Sequence, residues 1–367
     1  VTLSHCSPLL LEYTSHIFLK GLTMETPNQT SNQESWLLHF PIMFFAAVMG
    51  IGGLALVAGK TLKVFGLEAK FDSIFLALTF LSLALLCVIA LLYLAKTILY
   101  SPAFLKELKH PVRINFFAAI SVSFLIVLML LLRFDFIPLQ FHIVVFYGSA
   151  SLQLLFSLYV VRFWFVNEMQ QKMANPAWFI PIVGNLIVPL AGMNLNLKEE
   201  WTIPFEVLIF YFGMGSFFWI LLNAALLIRL VFGENLPQKF LPTLFIFIAP
   251  PSVFALDILA LFKGFADIAT LYGIASASFS VALFFMFLMI SLFGVFSRLK
   301  FALSWWAFTF PTCAFTLCAL ELFAWNGSLL YGFFGILGIV LSGIIVLIVS
   351  FRTLIAIKQK QICVLEE

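Results

Sequence analysis

Few residues in this sequence are placed to do chemistry within its long apolar runs. Asp257 is the main ionisable side chain well inside one. A carboxylic acid in apolar surroundings is costly as an anion, and such a residue inside a membrane span is a functional candidate by default. Asp257 is therefore a candidate titrating group. The plainer reading puts it near the outer end of its segment, which closes near Phe262, where headgroups or water take up the charge. If it faced a lumen it would repel anions, which fits a proton-coupled carrier better than a simple anion pore. Glu321 lies near the outer end of another run and reads as solvated, and Glu206 opens a segment, where a helix N-terminus favours it.

A different chemistry is suggested by Ser304-Trp305-Trp306-Ala307-Phe308-Thr309-Phe310-Pro311. Pro311 has no N–H to give the carbonyl of Ala307, so a helix through this stretch bends there. The freed carbonyl then needs a partner in protein or beside a wet cavity. Phe310 stands at the bend. It packs in a kinked core helix, or it is held across a pathway as a gate with Pro311 as the supporting kink. Broken helices also offer unpaired N–H groups and partly positive half-helix N-termini to an anion, and phenylalanine rims add a weak attraction. Candidate pore-lining neighbours are Phe44, Phe45, Phe116 and Phe117, for which core packing is the competing reading. Asn185, beside Gly184, either donates into a lumen or ties two helices. His110 and Arg113 are candidate pore-mouth residues that raise local anion concentration, or positive anchors at a membrane face. The Trp305–Trp306 pair reads as part of an interfacial aromatic belt.

Enzyme chemistry is not indicated. There is no Walker-type loop, no HExxH and no supportable Ser/His/Asp set. Five Cys and five His are scattered without metal or disulfide spacing, so neither metal nor cofactor is expected.

The elements that must position these residues follow from composition. Hydrophobic residues make up 63% of the chain and charged residues 10%, with mean hydropathy +1.11. Ordinary soluble chains carry about 25% charge, so lipid is the solvent. The formal net charge of +3 gives no reason to expect nucleic acid. Ten segments reach the roughly 20 apolar residues of a spanning helix, near 38–59, 72–98, 114–132, 139–165, 178–195, 205–231, 240–262, 267–292, 304–324 and 328–356. Lys and Arg near their ends favour one side about two to one, which places both termini in the cytoplasm and requires an even number of crossings.

Breaks fall in the odd segments: Gly50, Gly52 and Gly53 in the first, Pro181 and Pro189 in the fifth, Pro242, Pro250 and Pro251 in the seventh, Pro311 in the ninth. Lipid offers no partner for freed backbone groups, so odd helices belong inside and even ones outside, as five helical hairpins. The third segment, with only Ser121 and Ser123, and the tenth, with four glycines, fit this less well. Residues 1–35 form a tail, polar and expected to be disordered before the first span, with 1–23 preceding an internal Met24 as if from a misplaced start. Residues 36–356 form the membrane domain, and 357–367 a short cytoplasmic tail.

The run WWAFTFP resembles the ninth helix of the tellurite-resistance/C4-dicarboxylate transporter family, which includes the plant guard-cell slow (S-type) anion channels. His110-Pro111-Val112-Arg113-Ile114-Asn115-Phe116-Phe117, Val183-Gly184-Asn185 and Ile248-Ala249-Pro250-Pro251-Ser252-Val253 are similar too, in the family's order. The resemblance covers roughly residues 36–356. It implies an all-α integral membrane fold with five hairpins ringing a central pore, often as trimers, and a pore plugged at the position of Phe310. The expected function is an anion channel or transporter of a bacterial-type inner (plasma) membrane. It would pass small anions such as chloride, nitrate, malate-like dicarboxylates or sulfite through an uncharged pore. The alternative is a proton-coupled exporter of dicarboxylates, sulfite or an oxyanion. A membrane enzyme or structural subunit is the weakest reading, because polar residues cluster at neither face.

Overall fold

Ten helices are long and apolar enough to cross a membrane: Ile42–Phe65 (span 1), Glu68–Leu99 (span 2), Arg113–Leu131 (span 3), Leu139–Val166 (span 4), Pro176–Asn196 (span 5), Phe205–Phe232 (span 6), Gln238–Leu261 (span 7), Ile268–Ser291 (span 8), Leu303–Asn326 (span 9) and Leu329–Lys358 (span 10). The protein is thus an integral, multi-pass membrane protein. These elements come from a computed structural model that describes residues 36–199 and 202–363, none of them in a β-strand. The expectations for residues 1–35 and for the last four residues lie outside that range. Span 1 differs most from its sequence-based limits. Its helix runs on through Lys60 and Lys63 and stops at Gly66, whose φ of 64° suits a glycine helix cap. Lys60 is tolerated within the span because its ammonium pairs with Glu321 of span 9.

Burial separates the spans into two layers. Of the most apolar stretch of each odd span, 67–83% is buried, against 22–39% for each even span. Span 1 packs on span 3, 3 on 5, 5 on 7, 7 on 9, and 9 back on 1, closing a ring. Each even span lies against the odd span before it and touches the odd span after it, with span 10 returning to span 1. Exposed Leu, Ile, Val and Phe cover the even spans, as a surface facing acyl chains should.

The glycines of spans 1 and 10 do not break their helices. A Cβ on Gly50 would lie 2.3 Å from Thr309 Oγ1, and one on Gly338 2.4 Å from Thr316 Oγ1. Gly50 and Gly53 of span 1 and Gly332, Gly335 and Gly338 of span 10 let those helices close on span 9, while Gly52 faces Ile126 of span 3 and Gly343 meets nothing within 4 Å among the described residues.

Candidate functional site

Every odd span begins with a tight 3-10 stretch and then becomes an α-helix; no even span does. The changes fall at Phe44/Phe45, Phe117/Ala118, Trp178/Phe179, Ile248/Ala249 and Phe308/Thr309. Pro181, Pro251 and Pro311 each occupy the third position of the α part. There the missing N–H costs little, because first-turn N–H groups have no intrahelical partner. The break that Pro311 predicts is therefore a change of helix type, not a kink in a continuous α-helix. Hydroxyls satisfy carbonyls at the joint: Thr309 donates to Trp306 (2.7 Å) and Thr312 to Phe308 (2.7 Å). Outer helices help, since Ser157 of span 4 donates to the Pro181 carbonyl (2.8 Å) and Ser278 of span 8 to that of Pro251 (2.8 Å).

At the level of these joints lies a cavity whose wall takes residues from all five odd spans and from no even span. Near the joints the wall is made by Ala46, Ala119, Ile180, Ala249 and Phe310. Rings join this wall from three inner helices, Phe116 of span 3, Phe179 of span 5 and Phe310 of span 9; Phe179 is fully buried and packed edge-on against Phe247, whereas Phe310 is half-buried. The room left for the centres of water-sized molecules is about 60 Å³. Phe310 rests on span 1, with its Cδ2 3.4 Å from where a Cβ on Gly53 would be. Phe308, two residues earlier, is held edge-on by Phe245, Phe296 and Trp305.

Phe116 and Pro311 also line the cavity, as does Ser304, which was not among the candidates read from the sequence. Ser304 is 5% exposed and its hydroxyl has no protein partner. Trp306 is likewise in the wall, buried rather than interfacial, and its indole N–H donates to Thr353 of span 10 (3.1 Å).

The remaining candidates stand apart from the cavity wall. Phe44 stacks on Phe40 at 4.9 Å, Phe45 meets Tyr93 edge-on at 6.1 Å, and Phe117 packs on Tyr93 and Phe104. Asn185 ties helices: its amide donates to Ser157 of span 4 (2.9 Å) and to the carbonyls of Pro181 and Ile182. Gly184 beside it admits Gln153 of span 4, which would lie 2.6 Å from an added Cβ. Gln153 in turn accepts from Ser121 of span 3 (2.6 Å) and donates to Pro181 (2.8 Å).

His110 shapes the turn into span 3, its Nδ1 accepting from the N–H groups of Val112 (3.1 Å) and Arg113 (3.3 Å). Arg113 lies 3.6 Å from Glu107, on the short helix Ser101–Leu108. That carboxylate also pairs with Lys96 (2.9 Å) and accepts from Tyr93 (2.8 Å), while Lys96 donates to the carbonyl of Phe40 (2.7 Å). One buried charge cluster thus fastens the ends of spans 1, 2 and 3.

Asp257 is fully buried and neither of its oxygens has a partner. The expectation that water or headgroups receive it fails, because its side of span 7 is covered by protein. Glu321 is not simply solvated either; besides Lys60 it accepts from the Trp325 indole (3.1 Å). No group of three or more metal-ligating side chains occurs among the described residues.

The chain is a two-layer all-helical membrane domain with an uncharged cavity among its inner helices. Residues 39–355 match the family described as SLAC1, voltage-dependent anion channel, and the chain belongs to that family. It is 30% identical over 308 residues to the S-type anion channel SLAH2 of Arabidopsis thaliana, covering 81% of this chain and 56% of that one. It is 31% identical to an uncharacterized transporter of Methanocaldococcus jannaschii, covering 76% and 83%. It is 25% identical to the malic acid transport protein of Schizosaccharomyces pombe, covering 83% and 76%. The chain spans about half the length of the plant relatives it matches.

Proposed function

We propose that the protein conducts small anions passively along the axis of the inner ring, and that the ring of Phe310 closes the path. The observation that carries this is the cavity walled by all five odd spans and no even span, with the half-buried ring of Phe310 in its wall one residue past the span 9 joint. The wall has no charged side chain, so it would hold an anion weakly, and weak holding favours passage. In this reading Ser304 offers a hydroxyl to the passing ion, and His110 and Arg113 act as part of the basic mouth. Both termini lie in the cytoplasm, the location is the plasma (inner) membrane, and each copy of a trimer carries its own path. Chloride, nitrate and malate-like dicarboxylates are the substrates to try first, malate because of the yeast relative's name. The test is flux in liposomes with a panel of anions and cations under an imposed potential. Anion flux driven by potential alone supports the proposal; flux that appears only with a pH gradient refutes it.

A proton-coupled carrier is the second reading, favoured by Asp257, buried with both oxygens unpartnered. Taking up and releasing a proton there would change the charge inside span 7. Asp257→Asn should then abolish uptake driven by a pH gradient. Undiminished coupling in that variant removes the idea.

A further inference from the structure

A second pocket shares no residue with the central cavity and has about 170 Å³ for the centres of water-sized molecules. It lies where span 6 ends and spans 3, 5 and 7 begin, and its wall includes Lys172, Asn175, Arg229, Glu234, Asn235 and Phe240. Arg229, in the last turn of span 6, is only 2% exposed. Its guanidinium donates to the backbone carbonyls of Glu234 and Lys172, and its Nε has no partner. Among the described residues no carboxylate pairs with it. Glu234 lines the same pocket, yet its carboxylate bonds neither Arg229 nor Lys172. The comparably buried cation Lys96, by contrast, has Glu107 at 2.9 Å. A buried charge without a counter-charge is costly, so the pocket beside Arg229 is where an anion from outside the chain would relieve it. The amide of Asn175 is already used, accepting from Ala177 and donating to Met173, so the charged recognising groups are Arg229 and Lys172, with Asn235 also in the wall. The pocket lies at the ends of membrane-spanning helices, with Phe232, 81% exposed, two residues before Glu234, and Trp164 stacked on Trp178 at 4.6 Å.

We propose that this pocket binds a phosphate-class oxyanion, anchored by Arg229 and assisted by Lys172. A guanidinium fork and an ammonium are the groups that best recognise phosphoryl oxygens. The oxyanion is either a soluble phosphate or the headgroup of an anionic phospholipid, and the site stands whether or not the central cavity conducts.

The test uses the full chain in detergent, stripped of lipid. One arm measures thermal stabilisation by inorganic phosphate against chloride at equal ionic strength. The other measures, by native mass spectrometry, retention of phosphatidylglycerol relative to phosphatidylcholine after exposure to vesicles of each. Phosphate binding without lipid preference assigns the soluble source, and preferential phosphatidylglycerol retention assigns the lipid source. Arg229→Gln should weaken the effect about tenfold and Lys172→Ala about threefold, with Arg229→Lys between native and Arg229→Gln. If Arg229→Gln does not fold, Lys172→Ala and Lys172→Glu, at an exposed position, carry the test. A fall in folded Arg229→Gln, or in the Lys172 variants where Arg229→Gln does not fold, upholds the proposal, and folded Arg229→Gln that binds as native overturns it. Unchanged binding in the Lys172 variants where they carry the test, or binding absent from the native protein with both probes, overturns it too.

Discussion

Replacing Phe310 by alanine tests the gate directly, and the structure indicates how large the effect should be. The cavity has about 60 Å³ for water centres, while a single water needs only about 10–15 Å³ by that measure. Lack of room is therefore not what closes the path. A trapped water also wants two to four polar partners, and the wall's unpartnered side-chain group is the Ser304 hydroxyl alone. Such a cavity dewets, and a dewetted constriction stops ions. An anion crossing it sheds water with little in exchange, at a cost on the order of 2–7 kcal/mol for each polar interaction left unreplaced. Removing the ring opens on the order of 100 Å³ more, enough for waters to bond one another and accompany the ion. Recovering only about 3 kcal/mol of that cost raises flux about 100-fold. Phe310→Leu should fall between native and alanine, and Phe310→Trp should not open the path. Truncating a fully buried Phe costs about 3–5 kcal/mol of stability; Phe310 is half-buried against an existing void, so the alanine variant should lose less and still fold. The assay is anion current in planar bilayers or nitrate flux from liposomes, normalised to protein that elutes as native. Flux within about twofold of native in folded Phe310→Ala, a change of only about 0.4 kcal/mol, refutes the gate.

Two further outcomes follow from named contacts. Ser304→Ala in the opened Phe310→Ala background should lower anion flux severalfold, with Ser304→Thr restoring it, because the wall's free hydroxyl is lost and returned. Glu107→Gln removes the carboxylate charge that answers the buried ammonium of Lys96, leaving it only neutral acceptors such as the Phe40 carbonyl. It should cost about 3 kcal/mol, the low end for breaking a buried pair, read as a lower melting temperature in detergent with the flux assay as control.

The layered arrangement was legible because lipid makes backbone breaks conspicuous: prolines in spans 5, 7 and 9 mark helices that must be covered by protein. Span 3 carries no proline, yet it has the same joint at Phe117/Ala118. There Asn115 donates to the carbonyls of Pro111 and Val112, a side-chain effect that no proline count reveals. Of the four phenylalanines offered as neighbours of the gate, only Phe116 lines the cavity. One residue of helical phase separates it from Phe117, and the joint sets that phase, so periodicity could not choose between them. Glu107 was missed because it sits in a short polar connection, where charge ordinarily means solvent. Its burial depends on four chain segments meeting. Ser304 stands immediately before the family-like run, but its unpartnered state is a property of its neighbours.

Charge placement separates what this fold needs from what transport needs. Lys96 with Glu107 and Lys60 with Glu321 are buried or half-buried charges answered within the chain, and they fasten opposite ends of the inner helices. Neither pair touches the cavity wall, which keeps fixed charge out of the place where strong binding would stop passage. Arg229 and Asp257 are different, because both are buried and, among the described residues, no side chain of opposite charge answers either. A folded chain keeps such groups at a cost to its stability, and the partners proposed for them are an anion at Arg229 and a proton at Asp257. The two positions lie on different spans and outside the central wall. Substituting either can therefore separate an accessory site from the conduction path, provided that flux and binding are measured on the same folded variant.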